Sequence, residues 1–289
     1  MLNNKIKSKI ENILGSQITK MNSLSGGCIS SSYKVNTKDG NSYFLKYNYS
    51  SGSDMFLTEA HGLQELDKPG VITIPKVISF DKEFILLDLI ENSGRSKNFF
   101  EDFGRKFAVL HKFNNEKYGF YEDNYIGSNP QLNIPDNDEE KNWTKFYFQK
   151  RILYQFHLAE KSGNSTSDLR SSISKLENKI DLIVTDNSEK PSLLHGDLWG
   201  GNYMVDKNGF ACLIDPAVYY GNREADLAMT KLFGGFDSEF YRAYNEEFPL
   251  PDGYDYRENI YKLYHVLNHL NLFGSGYYSQ AISLIKYYL

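Results

Sequence analysis

The chain contains the stretch Leu194-His195-Gly196-Asp197-Leu198-Trp199-Gly200-Gly201-Asn202, and Ile214-Asp215-Pro216 closes the next apolar run. Together they supply a carboxylate, Asp197, an amide five residues later, Asn202, and a second carboxylate, Asp215. These groups suit phosphoryl transfer, in which one carboxylate orients the attacking hydroxyl and accepts its proton. Amide and carboxylate oxygens are also the hard ligands that Mg²⁺ requires. The sequence therefore predicts Asp197 as the catalytic base, and Asn202 and Asp215 as ligands of Mg²⁺ on a nucleotide.

The spacing of these residues also predicts a fold. The separation of Asp197 from Asn202 matches the catalytic loop of protein kinases, in which an Arg stands where this chain has Gly196. The alternative is a hairpin whose turn happens to contain Gly and Asp. The second carboxylate, at the end of a further strand, argues against that alternative, because an ordinary turn does not require it.

Two charged residues nearer the N-terminus support the same chemistry. Lys46 lies in a predicted apolar strand, and Glu59 lies within the apolar stripe of the helix predicted at 54–66. A carboxylate in such a stripe is costly unless it is paired, and Lys46 is the obvious partner. In kinases a Lys–Glu pair of this type places the ATP phosphates. The alternative is that the two residues are unrelated surface charges.

Two other segments would complete a nucleotide site. Gly26 and Gly27 precede the first predicted hairpin strand and would form a turn over the phosphates, because glycine lets backbone N–H groups approach closely. The sequence has neither a G-x-G-x-x-G nor a Walker motif, so an ordinary turn is the alternative. Asp88-Leu89-Ile90 stands at the predicted junction of two lobes, where backbone groups could hydrogen-bond adenine.

A further carboxylate, Asp226, lies near the start of a predicted helix. It could simply favour the positive end of the helix dipole or cap the helix. Its other possible role is to accept backbone N–H bonds from the catalytic loop. The sequence leaves both interpretations open.

Two aromatic residues are candidates for binding the phosphate acceptor, the substrate whose hydroxyl is phosphorylated, in a cleft between the two lobes. Trp199 follows the catalytic Asp197 by two residues, so its flat ring could stack on a sugar or its amine substituent. His269 could face the same cleft. The alternatives are that Trp199 packs inside the helical lobe and that His269 is a hydrogen-bonded core histidine.

Length and composition limit the class of protein. A chain of 289 residues is long enough for one large domain or two modest ones. The formal net charge of −5 disfavours a nucleic-acid-binding protein. Neither a signal peptide nor an apolar run of the ~20 residues that span a bilayer is present, so we expect a cytoplasmic protein without membrane contact. Two cysteines exclude a disulfide framework.

The predicted elements fall into two parts, which makes the fold α+β and bilobal. Residues 1–90 form a small antiparallel-sheet lobe with a helix at 4–14, a hairpin at 29–47, a helix at 54–66 and a second hairpin at 75–87. Residues 91–289 form a larger, mostly helical lobe. It begins with an amphipathic helix whose apolar residues are Phe99, Phe103, Phe107 and Leu110. There follow a loop at 115–140, helices at 142–161 and 166–184, a β-turn-β unit at 193–214 and helices from 222 onward.

The sequence resembles the fructosamine (ketosamine-3-) kinases, which are relatives of the aminoglycoside phosphotransferases and choline kinases. The resemblance extends over most of the chain. It includes Gly26-Gly27-Cys28-Ile29, Phe44-Leu45-Lys46, Met55-Phe56-Leu57-Thr58-Glu59, Leu110-His111, Asn124-Tyr125-Ile126-Gly127, Pro130-Gln131-Leu132-Asn133, Leu194 to Asn202, Asp215-Pro216-Ala217-Val218-Tyr219-Tyr220-Gly221, Glu224-Ala225-Asp226-Leu227-Ala228 and Leu232-Phe233-Gly234-Gly235-Phe236. His-Gly-Asp-Leu-Trp followed by Asp-Pro-Ala and Phe-Gly-Gly-Phe is the most specific part.

The resemblance implies a protein-kinase-like fold that uses ATP and Mg²⁺ to phosphorylate the sugar 3-hydroxyl of ketoamines, the products of amine glycation. Phosphorylation makes the adduct labile, so the amine is regenerated. The substrate would be a free or protein-bound ketoamine. The alternatives are a kinase for another small hydroxyl substrate, such as an aminoglycoside, and a catalytically silent kinase-like binding module.

Cys28 stands on the predicted phosphate-covering turn, whereas the strand around Cys212 predicts a buried and inert thiol. Backbone N–H groups arranged for phosphate also favour a nearby thiolate, which is the reactive form. We therefore expect reversible oxidation of Cys28 to slow phosphoryl transfer, by capping the thiol or by linking two chains into a dimer. The alternative is a small residue that merely fits the turn.

Overall fold

A computed structural model describes residues 3–24, 31–48, 54–184 and 189–289. The N-terminal part is an antiparallel sheet with strands β1 (Ile18–Leu24), β2 (Ser31–Thr37), β3 (Ser42–Tyr47), β4 (Val77–Phe80) and β5 (Phe84–Asp88). The strand order is β1-β2-β3-β5-β4. Both predicted hairpins, β2–β3 and β4–β5, are therefore present.

Each face of this sheet is covered by one helix. Helix α1 (Asn4–Leu14) buries Ile6 and Ile10 against the face that carries Leu45 of β3. Because side chains alternate along a strand, Lys46 points to the opposite face, where helix α2 (Met55–Asp67) lies. The alternation thus directs the lysine away from the apolar cluster and toward the rest of the molecule.

Strand β1 is missing from the sequence-based prediction, which starts the sheet at residue 29. It is an edge strand that pairs with β2. Ile18 is the one buried residue among its seven. An edge strand with so little burial has no alternating apolar pattern by which a sequence could reveal it.

The C-terminal part is mainly helical. Its α-helices are α3 (Phe99–His111), α4 (Trp143–Tyr147), α5 (Tyr154–Lys161), α6 (Ser167–Glu177), α7 (Ile180–Ile183), α8 (Glu224–Leu232), α9 (Ser238–Glu247), α10 (Tyr254–Phe273) and α11 (Tyr278–Lys286). A π-helical segment, Phe148–Leu153, joins α4 to α5, and a 3₁₀ turn, Ser275–Tyr277, precedes α11. The four apolar residues that predicted α3 are all buried. Across the described ranges, no helix is both long and apolar enough to cross a membrane.

Three two-stranded sheets lie among these helices. They pair β6 (Asn124–Ile126) with β7 (Asn129–Gln131), β8 (Ser192–Leu194) with β11 (Tyr219–Gly221), and β9 (Tyr203–Val205) with β10 (Ala211–Leu213). The first pair corrects the prediction of a plain loop at 115–140. The other two correct the single β-turn-β unit at 193–214, because β8 pairs with a strand beyond that unit. Three-residue strands are too short to leave a periodic signal in a sequence.

One hydrophobic core runs through both parts of the molecule. Leu63 of α2 belongs to the same buried cluster as Phe107 of α3 and Leu213 of β10. The buried residues of the sheet part and of the helical part are therefore packed together. This packing fixes the two walls of the cleft that separates the sheet from the helices. The division into residues 1–90 and 91–289 stays a prediction.

The packing of α3 against α9 depends on Gly104. A Cβ atom at this position would lie 2.2 Å from the backbone oxygen of Phe240 in α9. We expect Gly104→Ala to lower the free energy of unfolding by about 2 kcal/mol or more, because a backbone atom cannot move aside as a side chain can. Chemical denaturation would measure the change.

Gly94→Ala is the matched control for this prediction. A Cβ at Gly94 would meet no atom within 4 Å, so its effect on stability should stay within about 0.5 kcal/mol, as for ordinary surface changes. Equal stabilities of the two variants would contradict the proposed close approach.

Candidate active site

The loop that follows β8 is held by a close approach between two backbone segments. The His195 carbonyl accepts a hydrogen bond from the Ala217 N–H at 2.8 Å. Gly196 has φ of +82°, and a Cβ there would lie 1.9 Å from the Ala217 oxygen. Both the conformation and the space therefore require glycine. Backbone geometry thus explains why this chain has Gly196 at the position where protein kinases have an arginine.

A buried carboxylate on α8 holds this loop in place. Asp226 accepts hydrogen bonds from the backbone N–H groups of His195, at 2.7 Å, and Gly196, at 2.8 Å. His111 of α3 adds a contact from Nε2 at 3.3 Å. Burial alone would raise the pKa of Asp226, but His111 and the loop N–H groups outweigh it and hold the pKa below its usual value. The side chain thus connects α3, α8 and the loop.

Asp197 and Asn202 lie side by side at the mouth of this loop. The Asn202 amide Nδ2 donates to the Asp197 backbone oxygen at 2.7 Å and to its carboxylate Oδ2 at 3.1 Å. Because Nδ2 is engaged, the amide oxygen Oδ1 is left for another partner. Burial raises the pKa of Asp197 well above its usual value, and the carboxylates of Asp215 and Asp226 add to the effect against the Asn202 hydrogen bond.

Asp215 occupies a strained backbone position just after β10. Its φ of +54° makes it the one non-glycine residue with positive φ in the described part of the chain. A non-glycine residue in this region costs about 1–3 kcal/mol and persists where the surrounding structure enforces it, often at functional sites. Its side chain is exposed to the cleft and contacts the Lys46 ammonium.

Lys46 connects the sheet to this carboxylate. Its Nζ donates to Glu59 of α2 at 2.8 Å and also to Asp215. Burial alone would lower the pKa of Lys46, but the two carboxylates outweigh it and raise the pKa above its usual value. The lysine therefore stays charged inside a largely buried site. It is also the partner that the Glu59 carboxylate needs, because Glu59 lies in the apolar stripe of α2.

These groups line one cleft between the sheet and the helical part, with a volume of about 380 Å³. Its polar lining includes Lys46, Glu59, Asp197, Asn202 and Asp215. The remaining walls come from α2, the β6–β7 hairpin and the C-terminal end of α10. The residues that the sequence assigns to chemistry are thus brought together although they are far apart in the chain.

Trp199 and His269 lie on the wall of the same cleft. The Trp199 ring is 38% exposed and packs edge-on against Phe233, with ring centroids 5.8 Å apart. The same Phe233 ring contacts His269 at 4.8 Å. The His269 Nδ1 bonds to the His265 carbonyl at 2.8 Å, so the proton is on Nδ1 and Nε2 is an acceptor. The two residues form one aromatic wall.

Several predicted nucleotide-site residues are not part of this cleft. Asp88 ends β5 and accepts a hydrogen bond from the Lys76 N–H, and neither it nor Leu89 and Ile90 lines the cavity. The prediction that they contact adenine stays untested.

The structure describes Cys212, whereas Cys28 lies outside the described residues. Gly26, Gly27 and Cys28 lie outside the described residues, so the phosphate-covering turn and the redox role of Cys28 stay predictions. Cys212 of β10 is buried, and burial raises its pKa to about 12. It fits the inert thiol expected from its strand.

His265 is the most informative residue that sequence reasoning missed. It is buried in α10, its Nδ1 has no hydrogen-bond partner among the described residues, and this atom lies 4.0 Å from Asp197 Oδ1. Burial, together with the neighbouring His269, lowers its pKa to about 3, so the ring is neutral. The sequence places it one helical turn before His269, but nothing in that spacing shows that the ring meets a carboxylate nearly seventy residues earlier.

His111 was also missed, although Leu110-His111 is part of the family resemblance. It is fully buried, with Nε2 on Asp226 and Nδ1 on the hydroxyl of Tyr244 at 2.7 Å. Burial lowers its pKa, so it is neutral. A neutral ring with one donor and one acceptor nitrogen fits Nε2–H on the carboxylate and the tyrosine O–H on Nδ1.

The oxygen atoms on the cleft fit a Mg²⁺ ion that is bound together with a nucleotide better than a metal ion held by protein side chains alone. Within the described ranges, no group of three or more His, Cys, Asp or Glu side chains is arranged to hold a metal ion. Asn202 Oδ1 and Asp215 Oδ2 are two oxygen atoms on the cleft that could bind a metal, because Asn202 uses its Nδ2 toward Asp197 and Lys46 contacts Asp215 through Oδ1. Mg²⁺ typically takes one or two protein oxygens and completes its shell with phosphates and water.

The Asp226 contacts lead to a testable prediction. In Asp226→Asn the amide can accept at one oxygen, but its NH₂ group would face a backbone or imidazole N–H that needs an acceptor. We expect stability to fall by about 2–3 kcal/mol, as for lost hydrogen bonds to a charged group. Hydrogen exchange at the His195 and Gly196 amides should become faster by about tenfold or more. Mass spectrometry of peptides covering this loop would measure it.

Asp206→Asn is the control, because Asp206 also accepts two backbone N–H bonds, from Asn208 and Phe210. Its replacement should speed exchange in the β9–β10 turn and leave the His195 loop protected. Faster loop exchange in both variants, or in neither, would show that Asp226 does not hold the loop specifically.

The comparison with known proteins agrees with this geometry. The sequence profile of the fructosamine kinase family matches residues 2–289. A protein-ribulosamine 3-kinase, chloroplastic, from Arabidopsis thaliana is 40% identical over 280 residues, which cover 94% of this chain and 83% of that protein.

Solved structures show the same fold. A candidate fructosamine-3-kinase from Thermobifida fusca superposes with a TM-score of 0.88 and 29% identity, covering 99% of each chain. An aminoglycoside phosphotransferase, APH(2'')-Ib, superposes with a TM-score of 0.64 over 99% of this chain and 98% of that chain, at 15% identity. At this identity the match supports a shared fold and no shared activity. The fold is thus the bilobal one of the protein-kinase-like phosphotransferases, and the chain belongs to the fructosamine kinase family.

Proposed function

We propose that this enzyme uses ATP and Mg²⁺ to phosphorylate the sugar 3-hydroxyl of ketosamines, such as fructosamine or ribulosamine adducts. The observation that carries the proposal is the convergence of Lys46, Asp197, Asn202 and Asp215 on one cleft in a fructosamine kinase family member. The names of its relatives support the substrate class. The phosphorylated adduct would then break down and release the amine.

The phosphate side of the cleft is the side of Lys46. Its charged ammonium, fixed by Glu59 at 2.8 Å, would bind phosphate oxygens of ATP, which is the role of such a pair in kinases. Lys46 also contacts Asp215 Oδ1, so Asp215 would offer Mg²⁺ its other carboxylate oxygen, Oδ2.

Asn202 and Asp215 would hold Mg²⁺ through Oδ1 and the carboxylate respectively. When bound, the ion would neutralise charge on the phosphates and orient them for transfer. Asn202 is oriented for this role by its two hydrogen bonds to Asp197. Asp215 is aimed by its strained backbone.

Asp197 would orient the sugar hydroxyl and accept its proton while the hydroxyl oxygen bonds to the terminal phosphorus of ATP and the bond from that phosphorus to ADP, the leaving group, breaks. Its carboxylate Oδ2 is held by Asn202 at 3.1 Å, and Oδ1 is the oxygen nearest His265. The raised pKa of Asp197 means that the carboxylate is a stronger base than an exposed aspartate. Such positioned bases contribute about 10²–10⁴-fold to rate.

The acceptor would lie against the wall formed by Trp199 and His269. A partly exposed indole face is suited to the apolar face of a sugar or to the carbon chain of the modified amine. The His269 Nε2 is an acceptor for a hydroxyl proton. These two contacts would place the ketose next to Asp197 without using a charged side chain.

The base assignment leads to the central experiment. Asp197→Asn should keep the fold and bind ATP normally, but its kcat with a ketosamine should fall by about 10²–10⁴-fold, because the isosteric amide cannot accept the proton. Phosphorylation would be measured with purified protein on panels of ketosamines and aminoglycosides.

The panel also decides between the functions. Turnover of ketosamines alone supports the proposal, and turnover of aminoglycosides alone would replace it with the alternative kinase. Absence of turnover on either panel, with ATP bound, would favour a silent binding module. Undiminished turnover by Asp197→Asn would remove Asp197 as the base.

The metal assignment is tested by Asn202→Ala and Asp215→Ala. Each should raise the Mg²⁺ concentration needed for half-maximal ATP binding by about tenfold or more, because one of two protein ligands is lost. Asp206→Asn, whose carboxylate is engaged outside the cleft, is the control and should match the wild type. A normal Mg²⁺ dependence in both alanine variants would show that neither residue is a ligand.

A further inference from the structure

A chain of side-chain amides runs from α10 through α5 and back to α10, where it ends at the cleft. Asn271 donates from Nδ2 to Gln155 Oε1 at 2.8 Å, and Gln155 donates from Nε2 to Asn268 Oδ1 at 3.3 Å. Asn129 of β7 donates to the same Asn268 oxygen at 2.8 Å. Gln155 and Asn268 thus each accept a hydrogen bond at the amide oxygen from the preceding amide of the chain.

These contacts fix the orientation of Asn268. Its Oδ1 accepts two N–H bonds, so a flipped amide would place its NH₂ group against two donors. The NH₂ group therefore points away from Asn129 and Gln155. Asn268 is 1% exposed and lines the cleft, and its Nδ2 has no acceptor in the described part of the chain. This donor is therefore available to a molecule bound in the cleft.

The position of Asn268 on the helix places this donor in the same cleft as Asp197. It follows His265 by three residues, so the two lie on the same face of α10. His265 Nδ1 is 4.0 Å from Asp197 Oδ1. Asn268 and Asp197 both line the cleft. The free amide hydrogen is thus on the acceptor side, one helical turn along α10 from His265, the residue that approaches Asp197.

We propose that Asn268 is a specificity-determining residue, whose Nδ2 donates a hydrogen bond to an oxygen of the ketose other than the reacting hydroxyl. The inference rests on the proposed function, because it concerns the acceptor of the same site. The β6–β7 hairpin contributes through Asn129, which orients the amide. An acceptor lacking the matching oxygen would leave the buried donor unpaired and would be rejected.

The experiment compares Asn268→Asp and Asn268→Ala with the wild type. The aspartate variant keeps an oxygen for Asn129 and Gln155 and replaces the Nδ2 donor with an acceptor, whereas the alanine variant removes both. With a ketosamine that the wild type phosphorylates, both variants should raise the acceptor KM by about tenfold to a hundredfold. The ATP KM should stay within about twofold of the wild-type value, since Asn268 lies on the acceptor wall.

Asn245→Ala is the control. It also removes an asparagine side chain, but Asn245 lies on α9, outside the cleft and outside the amide chain that orients Asn268. Its acceptor KM should therefore stay near the wild-type value. Unfolding midpoints of all three variants would be measured together, so that a KM change is compared at equal folded fraction.

A series of ketosamines that each lack one sugar oxygen completes the test. One member should bind the wild type poorly and lose nothing further in Asn268→Ala, which identifies the oxygen that Nδ2 contacts. Equal KM values in the wild type and both Asn268 variants would overturn the inference and leave the proposed function standing. An equal rise of the acceptor KM in Asn245→Ala, or an equal rise of the ATP KM in the Asn268 variants, would reduce Asn268 to a packing role. Absence of wild-type turnover on any ketosamine would overturn the proposed function, and this inference with it.

Discussion

The site depends on one buried carboxylate. Asp226 is 1% exposed, and an anion in such a place is tolerated where hydrogen bonds replace the water that it has lost. Two of those bonds come from the backbone of the His195-Gly196 pair and one comes from His111. If the carboxylate is to stay satisfied, the loop cannot move away from α8. The position of Asp197, the next residue in the chain, follows from that constraint.

The same constraint explains residues that take no part in chemistry. His111 must be neutral and must present Nε2–H, and the hydroxyl of Tyr244 on α9 fixes that tautomer through Nδ1. Helix α9 can approach α3 closely enough because Gly104 has no side chain at the contact with Phe240. The packing of two helices thus determines the protonation pattern of a histidine, which in turn completes the shell of the Asp226 carboxylate.

The sequence predicted one side of the cleft much better than the other. Lys46, Glu59, Asp197, Asn202 and Asp215 stand in short segments with chemical spacing, so the sequence predicted them as one set, and the structure brings them to one cavity. The acceptor side is made from the β6–β7 hairpin and from α10. Three-residue strands leave no periodic pattern, and the amides on those elements are common in loops and helices, so their convergence depends on tertiary structure.

His265 and Asn268 show that limit most clearly. Their spacing predicts a shared helix face and nothing about what that face meets. The contact with Asp197 depends on how α10 packs against the loop, and the orientation of the Asn268 amide depends on Asn129 from a separate hairpin. Sequence spacing can predict groups that act through a fixed local geometry. It cannot predict a hydrogen-bond direction that is fixed by partners far apart in the chain.

The distribution of charge in the cleft also bears on the substrate. The carboxylates among its described lining residues are Glu59, Asp197 and Asp215; Glu59 and Asp215 contact Lys46, and Asp197 accepts a hydrogen bond from Asn202. The acceptor wall carries amides, aromatic rings and the neutral His269. A polycationic acceptor would be attracted by additional carboxylates on that wall, whereas a ketose offers hydroxyl and carbonyl oxygens that neutral donors and acceptors can match. The arrangement thus favours recognition of a sugar by hydrogen-bond geometry rather than by charge.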